Sequence, residues 1–422
     1  MKTPYRALVA LALSCIVEAA SATDDRHPPH PLTPLPGLTL AEVVIAAAAV
    51  TGAPEQTEAA FAEADAFQRR ADLAFAQAPS LFLRQNRDLP GERTGLLENE
   101  VLLQFPLKRY GQSKIQASLA GAARELARSR GRERLWRLSG IVRELVWEHR
   151  ERRIALEAAQ LALAWAREVA QSVALRHRHG DLATVDTLAA RSEILARERD
   201  LADARARLAD AERAYTAWTG LGHVPADPSE APAPETRAGH PALLAAADAV
   251  RRAESSVELQ RASARTAPTL SIGPRRERGS SESARADSLT VMVNIPFGTE
   301  AYADPQVASA RRSVTDAEIA YRRTSRELEM ALHEAEHELR RAKALSDNRS
   351  DAFLVADERA RIARVALDHG EFDVAEFLRI KNAADRARLA RDLAELQIAR
   401  AVARLNQARG HLPTGVVAEA QP

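Results

Sequence analysis

The residues best suited to chemistry are His333, Glu334 and His337, which spell H-E-x-x-H in His333-Glu334-Ala335-Glu336-His337. On a helix this spacing puts two imidazoles on one face, where they hold zinc while the glutamate acts as base. Here the motif sits in a run rich in alanine and charge, and a solvated helix face accounts for it. A zinc hydrolase would rest on this motif alone. His177, His179 and His369 form a second candidate group for metal or pH sensing, and His27 and His30 a third. No cysteine or fixed ligand spacing accompanies either. There is no nucleophile elbow and no phosphate-binding loop. The sequence is read as that of a non-enzyme, with no metal and no cofactor.

The elements that must position these residues repeat. His179-Gly180-Asp181-Leu182 is answered by His369-Gly370-Glu371-Phe372, 190 residues later. Leu188 and Leu378, Gly220 and Gly410, and Pro106 and Pro296 keep the same offset. A repeat this long implies two large similar halves, not a solenoid. Lysine and arginine total 59 against 58 aspartates and glutamates, so the net charge is near zero. That argues against nucleic acid as the main partner. Aromatics are only 4%, and alanine, arginine, glutamate and leucine dominate, the composition of long helices and coiled coils.

Residues 1–22 read as a signal peptide: Lys2 and Arg6, an apolar Ala7–Val17, then Ala20-Ser21-Ala22. Cleavage there removes Cys15, the single cysteine; a lipid-bearing Cys15 is the alternative. No other apolar run approaches the ~20 residues of a membrane helix, so a chain that crosses a membrane does so as a β-barrel.

The first repeat spans 38–220, between a proline-rich segment at 23–37 and a linker at 221–240. The second spans 241–410, and 411–422 form a tail. Thr39 and Glu42 are placed as a capping box. A break follows at Gly52-Ala53-Pro54, and a second helix is predicted to about Gln77. Each half then switches to period two: a hairpin at about 79–106 and another at about 268–297. Val101, Leu103 and Phe105, with Leu289, Val291, Val293 and Ile295, form one oily face. The strands suit a tilted membrane strand, and Arg84–Thr94 and Gly273–Asp287 read as polar loops. No proline falls between Pro106 and Pro225 or between Pro305 and Pro413. Each stretch predicts a very long helix, a tight His-Gly turn and a shorter return helix. The first long helix, of about 65 residues, would be on the order of 100 Å long, with Gly121, Gly131 and Gly140 as weak points. Ile194, Leu201, Leu208 and Tyr215, and later Leu389, Leu393, Leu396, Ile398, Val402 and Leu405, make coiled-coil seams.

This order resembles the outer-membrane efflux channel family, the TolC-like outer membrane factors of Gram-negative tripartite pumps. The likeness covers nearly all of the mature chain. It is carried by Leu38-Thr39-Leu40-Ala41-Glu42, His240-Pro241-Ala242-Leu243, Ala78-Pro79-Ser80-Leu81, Ala267-Pro268-Thr269-Leu270, Gln104-Phe105-Pro106-Leu107 with Gly111, and Asn294-Ile295-Pro296-Phe297. The second half shows no counterpart of Gly111 after Phe297. The segment from Gln104 to Gly111, with Lys108-Arg109, is similar to the heavy-metal cation branch.

The resemblance implies a mainly α chain with a membrane β-barrel part. Four strands from each of three copies close a twelve-stranded barrel, and the long hairpins form a periplasmic tube. It implies passive conduction, with a periplasmic adaptor, an inner-membrane RND-type pump and outer-membrane lipid as partners. The tips, about 177–188 and 367–378, would meet the adaptor and constrict. Gly180, Leu182, Val185, Leu188, Gly370, Phe372, Val374 and Leu378 are the docking or tip-packing candidates. Asp186, Glu376 and Arg379 are the gate or selectivity candidates, with Arg379 able to pair with Glu376. Six carboxylates around a bore would favour cations and raise one another's pKa values. The competing reading is a periplasmic coiled-coil adaptor or scaffold. It would need no lipid-type hairpins at equivalent repeat positions.

Overall fold

The computed structural model describes residues 31–416 apart from 90, 93 and 235–238. The signal peptide, Cys15, His27, His30 and the end of the tail lie outside the described residues. Contacts divide the chain into two compact units: Met1–Ala53 with Arg134–Arg237 and Leu328–Pro422, and Pro54–Glu133 with Ala238–Glu327. Each unit takes chain from both repeats.

The first unit opens with a short strand β1 (Thr33–Leu35) and helix α1 (Leu40–Val50). The expected capping box is present: the Thr39 N–H donates to Glu42 Oε2 (2.8 Å) and the Glu42 N–H to Thr39 Oγ1 (3.3 Å). Val43, Val44 and Ala47 then pack into a core with Val142, Val146, Tyr215 and Val224. Val224 belongs to β4 (His223–Pro225), which pairs in parallel with β1. The linker at 221–240 is therefore partly strand, which its prolines concealed.

Two helical hairpins supply the rest of this unit, their long helices beginning in segments that belong to the second unit. Helix α3 (Gln112–Arg178) returns as α4 (Thr184–Thr219), and α6 (Glu300–Asp368) as α7 (Val374–Ala408). α3 is one continuous helix despite its glycines. A Cβ on Gly140 would stand 2.9 Å from the Gln407 side chain, so that glycine permits close approach of α7 rather than a break. α6 carries Pro305 as its sixth residue, beyond the first turn, and continues through it with one backbone hydrogen bond lost. The seam residues Leu201, Tyr215, Leu396, Val402 and Leu405 are buried as the periodicity predicts.

The second unit holds α2 (Ala53–Asp72), α5 (Pro241–Ser263) and a four-stranded sheet. α2 ends five residues short of Gln77, and Phe75 instead bridges to Leu107. The strands are β2 (Ser80–Arg87), β3 (Leu97–Pro106), β5 (Thr269–Arg278) and β6 (Ala286–Asn294), in the order β2-β3-β5-β6 with antiparallel pairing throughout. The two hairpins of the repeat thus join through β3 and β5. Arg84–Arg87 and Gly273–Arg278, expected in loops, extend the strands. Part of their charge is matched across the sheet, Arg84 pairing with Glu100 (3.3 Å) and Arg275 diagonally with Glu98 (3.1 Å). Gly111 and Gly298 both adopt positive φ (81° and 69°) just before the long helices. Gly298 is the missing counterpart, displaced from the 190-residue register.

Candidate functional site: sheet face and hairpin tips

The register lines up apolar residues on one face of the sheet. Leu83 faces Val101; Leu81, Leu103, Ile272 and Val291 form one row; Phe105, Leu270 and Val293 form the next. Leu81, Leu83, Leu289, Val291 and Val293 are all more than half exposed. Ile295 and Phe297 continue the row past β6 and are also exposed. Phe105 departs from expectation: it is half-buried, with its ring 5.2 Å from that of Phe75. The opposite face carries the Arg84–Glu100 and Arg275–Glu98 pairs, with Leu102 and Glu100 buried there, while Arg276 and Asp287 pair on the apolar face near its end. An exposed, contiguous apolar face on a strand sheet marks an interaction surface. The outer edges of β2 and β6 have no strand partner among the described residues.

Pairing of β3 with β5 lapses between Glu100–Arg275 and Leu103–Ile272, where Gly273 and Pro274 stand. Pro274 has no N–H to donate. A Cβ on Gly273 would fall 1.9 Å from the Val101 carbonyl oxygen. Only glycine permits this approach.

The hairpin tips are built alike. Gly180 (φ 84°) and Gly370 (φ 76°) turn the chain. In each, the next residue closes the turn onto the helix end, Asp181 N–H to Arg176 O (3.0 Å) and Glu371 N–H to Ala366 O (2.9 Å). The first tip is fastened further by His177 Nδ1, 2.8 Å from Leu182 O. His177 is thereby committed to the turn. Arg176 donates to Leu367 O (2.7 Å), tying the first tip to the second hairpin.

The apolar tip residues divide into two sets. Val374, Phe377 and Leu378 are buried with Val169, Val173 and Leu367, and Leu182 and Phe372 pack against them. Val185 and Leu188 are exposed, at 67% and 59%. The gate candidates also diverge. Asp186 accepts from the Ala183 N–H (3.0 Å), capping α4. Glu376 instead accepts from Arg379 Nε (2.7 Å) and from a second guanidinium nitrogen. That hydrogen bond and the positive charge of Arg379 hold the Glu376 carboxyl below its usual range. The position equivalent to Arg379 in the first repeat is Ala189, so Asp186 has no such partner there.

No family model and no curated protein matches the chain. Solved structures do match. A membrane protein from Pseudomonas aeruginosa superposes with a TM-score of 0.71 at 16% identity, covering 93% of this chain and 100% of that one. The outer membrane protein VceC of Vibrio cholerae gives 0.69 at 14% identity, over 88% and 96% of the two chains. The Campylobacter jejuni CmeC outer membrane channel gives 0.70 at 14%, over 88% and 85%. The fold is that of these outer-membrane channels.

Within this channel fold the sequence candidates are placed as follows. Gly180, Leu182, Val185, Leu188 and Asp186 gather at the first tip, and Gly370, Phe372, Val374, Glu376, Leu378 and Arg379 at the second. His333 and His337 lie exposed on α6, and among the described residues no cluster of three His, Cys, Asp or Glu groups forms a metal site. No helix among the described residues is long and apolar enough to cross a membrane. Sequence reasoning missed Trp165, whose ring packs 5.7 Å from Phe377 and lies 4.7 Å from Lys381 Nζ. A lone tryptophan mid-helix gives no positional signal. Phe377 was legible in the sequence as a difference from Thr187 at the equivalent repeat position.

Proposed function

We propose that the chain is a trimeric outer-membrane channel of a tripartite, RND-type efflux system, set in the outer membrane of a Gram-negative cell and extending into the periplasm. The observation that carries this reading is the sheet: an exposed apolar face between two unpaired edges. Lipid tolerates no open sheet edge, and closure of β6 on β2 of the next copy removes both. Twelve strands then surround a bore. The exposed apolar residues of the helices, among them Leu354, Val355 and Ile362 on α6, are suited to contacts between copies.

The channel conducts passively, and the inner-membrane pump supplies the energy. Val185 and Leu188 are the exposed apolar positions suited to docking an adaptor; Val374 and Leu378 serve to pack the tip. Asp186, Glu376 and Arg379 are the gate candidates. Heavy-metal cations are the substrate class favoured by the segment from Gln104 to Gly111.

Membrane fractionation tests the channel. The expected result is an outer-membrane trimer that resists heating in detergent; recovery as a soluble periplasmic protein would instead support the adaptor or scaffold. Deleting the gene and scoring growth against metal ions and drugs tests the substrate class. Sensitivity to drugs alone removes the heavy-metal assignment.

A further inference from the structure

The exposed apolar face ends in arginines. The register sets Arg87, Leu97 and Arg278 side by side across β2, β3 and β5. Arg285, one residue before β6, shares the alternation of Asp287 and Leu289 and so faces the same way. The next level inward holds Gln85, Asn99, Arg276 and Asp287. Below it come Leu83 with Val101 and Pro274 with Leu289, the first apolar pairs.

The acids near this row are otherwise engaged or face elsewhere. Asp287 accepts from Arg276 Nε (2.6 Å) and its terminal nitrogen (3.0 Å). Asp88 accepts from the Thr94 hydroxyl (2.6 Å) and from the Gly95 and Leu96 N–H groups within its own loop. Glu98, Glu100 and Glu277 alternate onto the opposite face, where Arg275 and Arg84 pair with them. Glu92 and Glu282 belong to the connecting loops. Asp88 also attracts Arg278 and Asp287 attracts Arg285, so the four arginines Arg87, Arg276, Arg278 and Arg285 stand against two carboxylates and the row keeps a positive excess. Arg278 Nε donates to Gly95 O (3.2 Å), which fixes its position.

We propose that this row binds the phosphate groups of an anionic lipid in the leaflet around the outer end of the sheet. The inference rests on the membrane-channel reading above. Guanidinium matches phosphate in geometry and charge, donating N–H groups to two of its oxygens at once. Four residues separate Arg87 from Leu83, about 13 Å along a strand. A strand tilted by about 45° turns that into a height of about 9 Å above the last apolar level, the depth of a headgroup. The opposite end of the same face finishes in Phe297 and Ile295, and the basic residues there, Lys108 and Arg109, donate to the carbonyls of Arg70, Ala71 and Thr266, so the two ends of the band differ in chemistry.

The test uses the full-length protein purified in detergent and equilibrated with mixed micelles of phosphatidylglycerol and phosphatidylcholine, with the co-purifying lipid weighed by mass spectrometry. Wild type is expected to enrich phosphatidylglycerol about tenfold, less at high salt, and the R87Q/R278Q/R285Q variant to fall to near parity. The corresponding triple lysine variant keeps part of the preference. If the glutamine triple does not form a heat-resistant trimer, Arg87→Gln and Arg285→Gln singly are each expected to lower the enrichment. Unchanged enrichment in a trimeric variant overturns the lipid site and leaves the channel intact. Displacement of the lipid by millimolar inorganic phosphate also overturns it, in favour of a free-anion site. Recovery of wild type in the aqueous fraction removes the channel reading itself.

Discussion

Arg379 separates the two copies of the tip. Asp186 spends its carboxylate on the start of α4, whereas Glu376 gives its own to Arg379. With its pKa depressed, Glu376 stays ionised to lower pH than an ordinary carboxylate, and the pair is lost as pH falls through that depressed value. In Arg379→Ala the same proton binds at higher pH. For a gate-lining Glu376, cation preference in planar-bilayer conductance should therefore vanish at higher pH in the variant than in wild type. Superimposable pH profiles would remove Glu376 from the bore.

His149 gives a pH dependence of a different kind. It is buried 3.9 Å from Glu212, and burial, aided by the charge of Arg153, lowers its pKa from 6.5 to about 4. Between those values the unfolded chain binds a proton that the folded chain refuses. The stability this site contributes is present above pH 6.5 and declines as pH falls toward 4. Burial raises the Glu212 carboxyl and opposes this trend, so the useful quantity is a difference. Denaturant unfolding between pH 4 and 7 should show wild type losing stability relative to His149→Gln as the pH drops.

Among elements, the β3–β5 junction tolerates least. A methyl group at residue 273 meets the Val101 carbonyl, which is backbone and cannot rotate away. Gly273→Ala is expected to abolish the heat-resistant trimer while leaving the far-UV helix signal, because the long helices do not depend on that contact. A second vulnerable element is the linker. Arg143 is buried and donates to both oxygens of Glu230 (2.7 and 2.8 Å), to Ser139 Oγ and to His411 O (both 3.2 Å). Arg143→Ala strands the carboxylate and should cost about 3 kcal/mol. A double-mutant cycle with Glu230→Ala measures how much of that belongs to the pair.

The elements show how far the sequence could be read. Helix lengths, turns and the alternating strands were legible because apolar periodicity reports which face is covered. The strand ends were not. Arg84–Arg87 and Gly273–Arg278 look like loop because their partners lie across the sheet, in segments as remote as β3 from β5. β1 and β4 are three residues each and carry no period. At the tips the sequence leaves Val374 and Leu378 to pack the tip or to dock a partner, and the packing around Phe377 buries them. Nothing local distinguishes them from the exposed Val185 and Leu188.

For the whole molecule, the repeat acquires a physical meaning. Two similar halves in each of three chains would place six related hairpins around one axis, and the differences between halves, such as Glu376 with Arg379 against Asp186 with Ala189, would alternate around it.

The way the compact units cut across the repeats bears on how the chain reaches its fold. Each unit closes only when segments on the order of 190 residues apart meet, which is slow, because long loops must be ordered before any contact stabilises them. A first half made before the second has β3 lacking β5, and the buried side of α7 still to arrive. Such a half would expose apolar surface and an unpaired strand edge, the features that favour aggregation. Cutting the gene within 221–240 should yield two fragments that are each protease-sensitive alone and recover resistance on co-expression. A first half that folds by itself would show that the repeat, and not the unit, is the folding module.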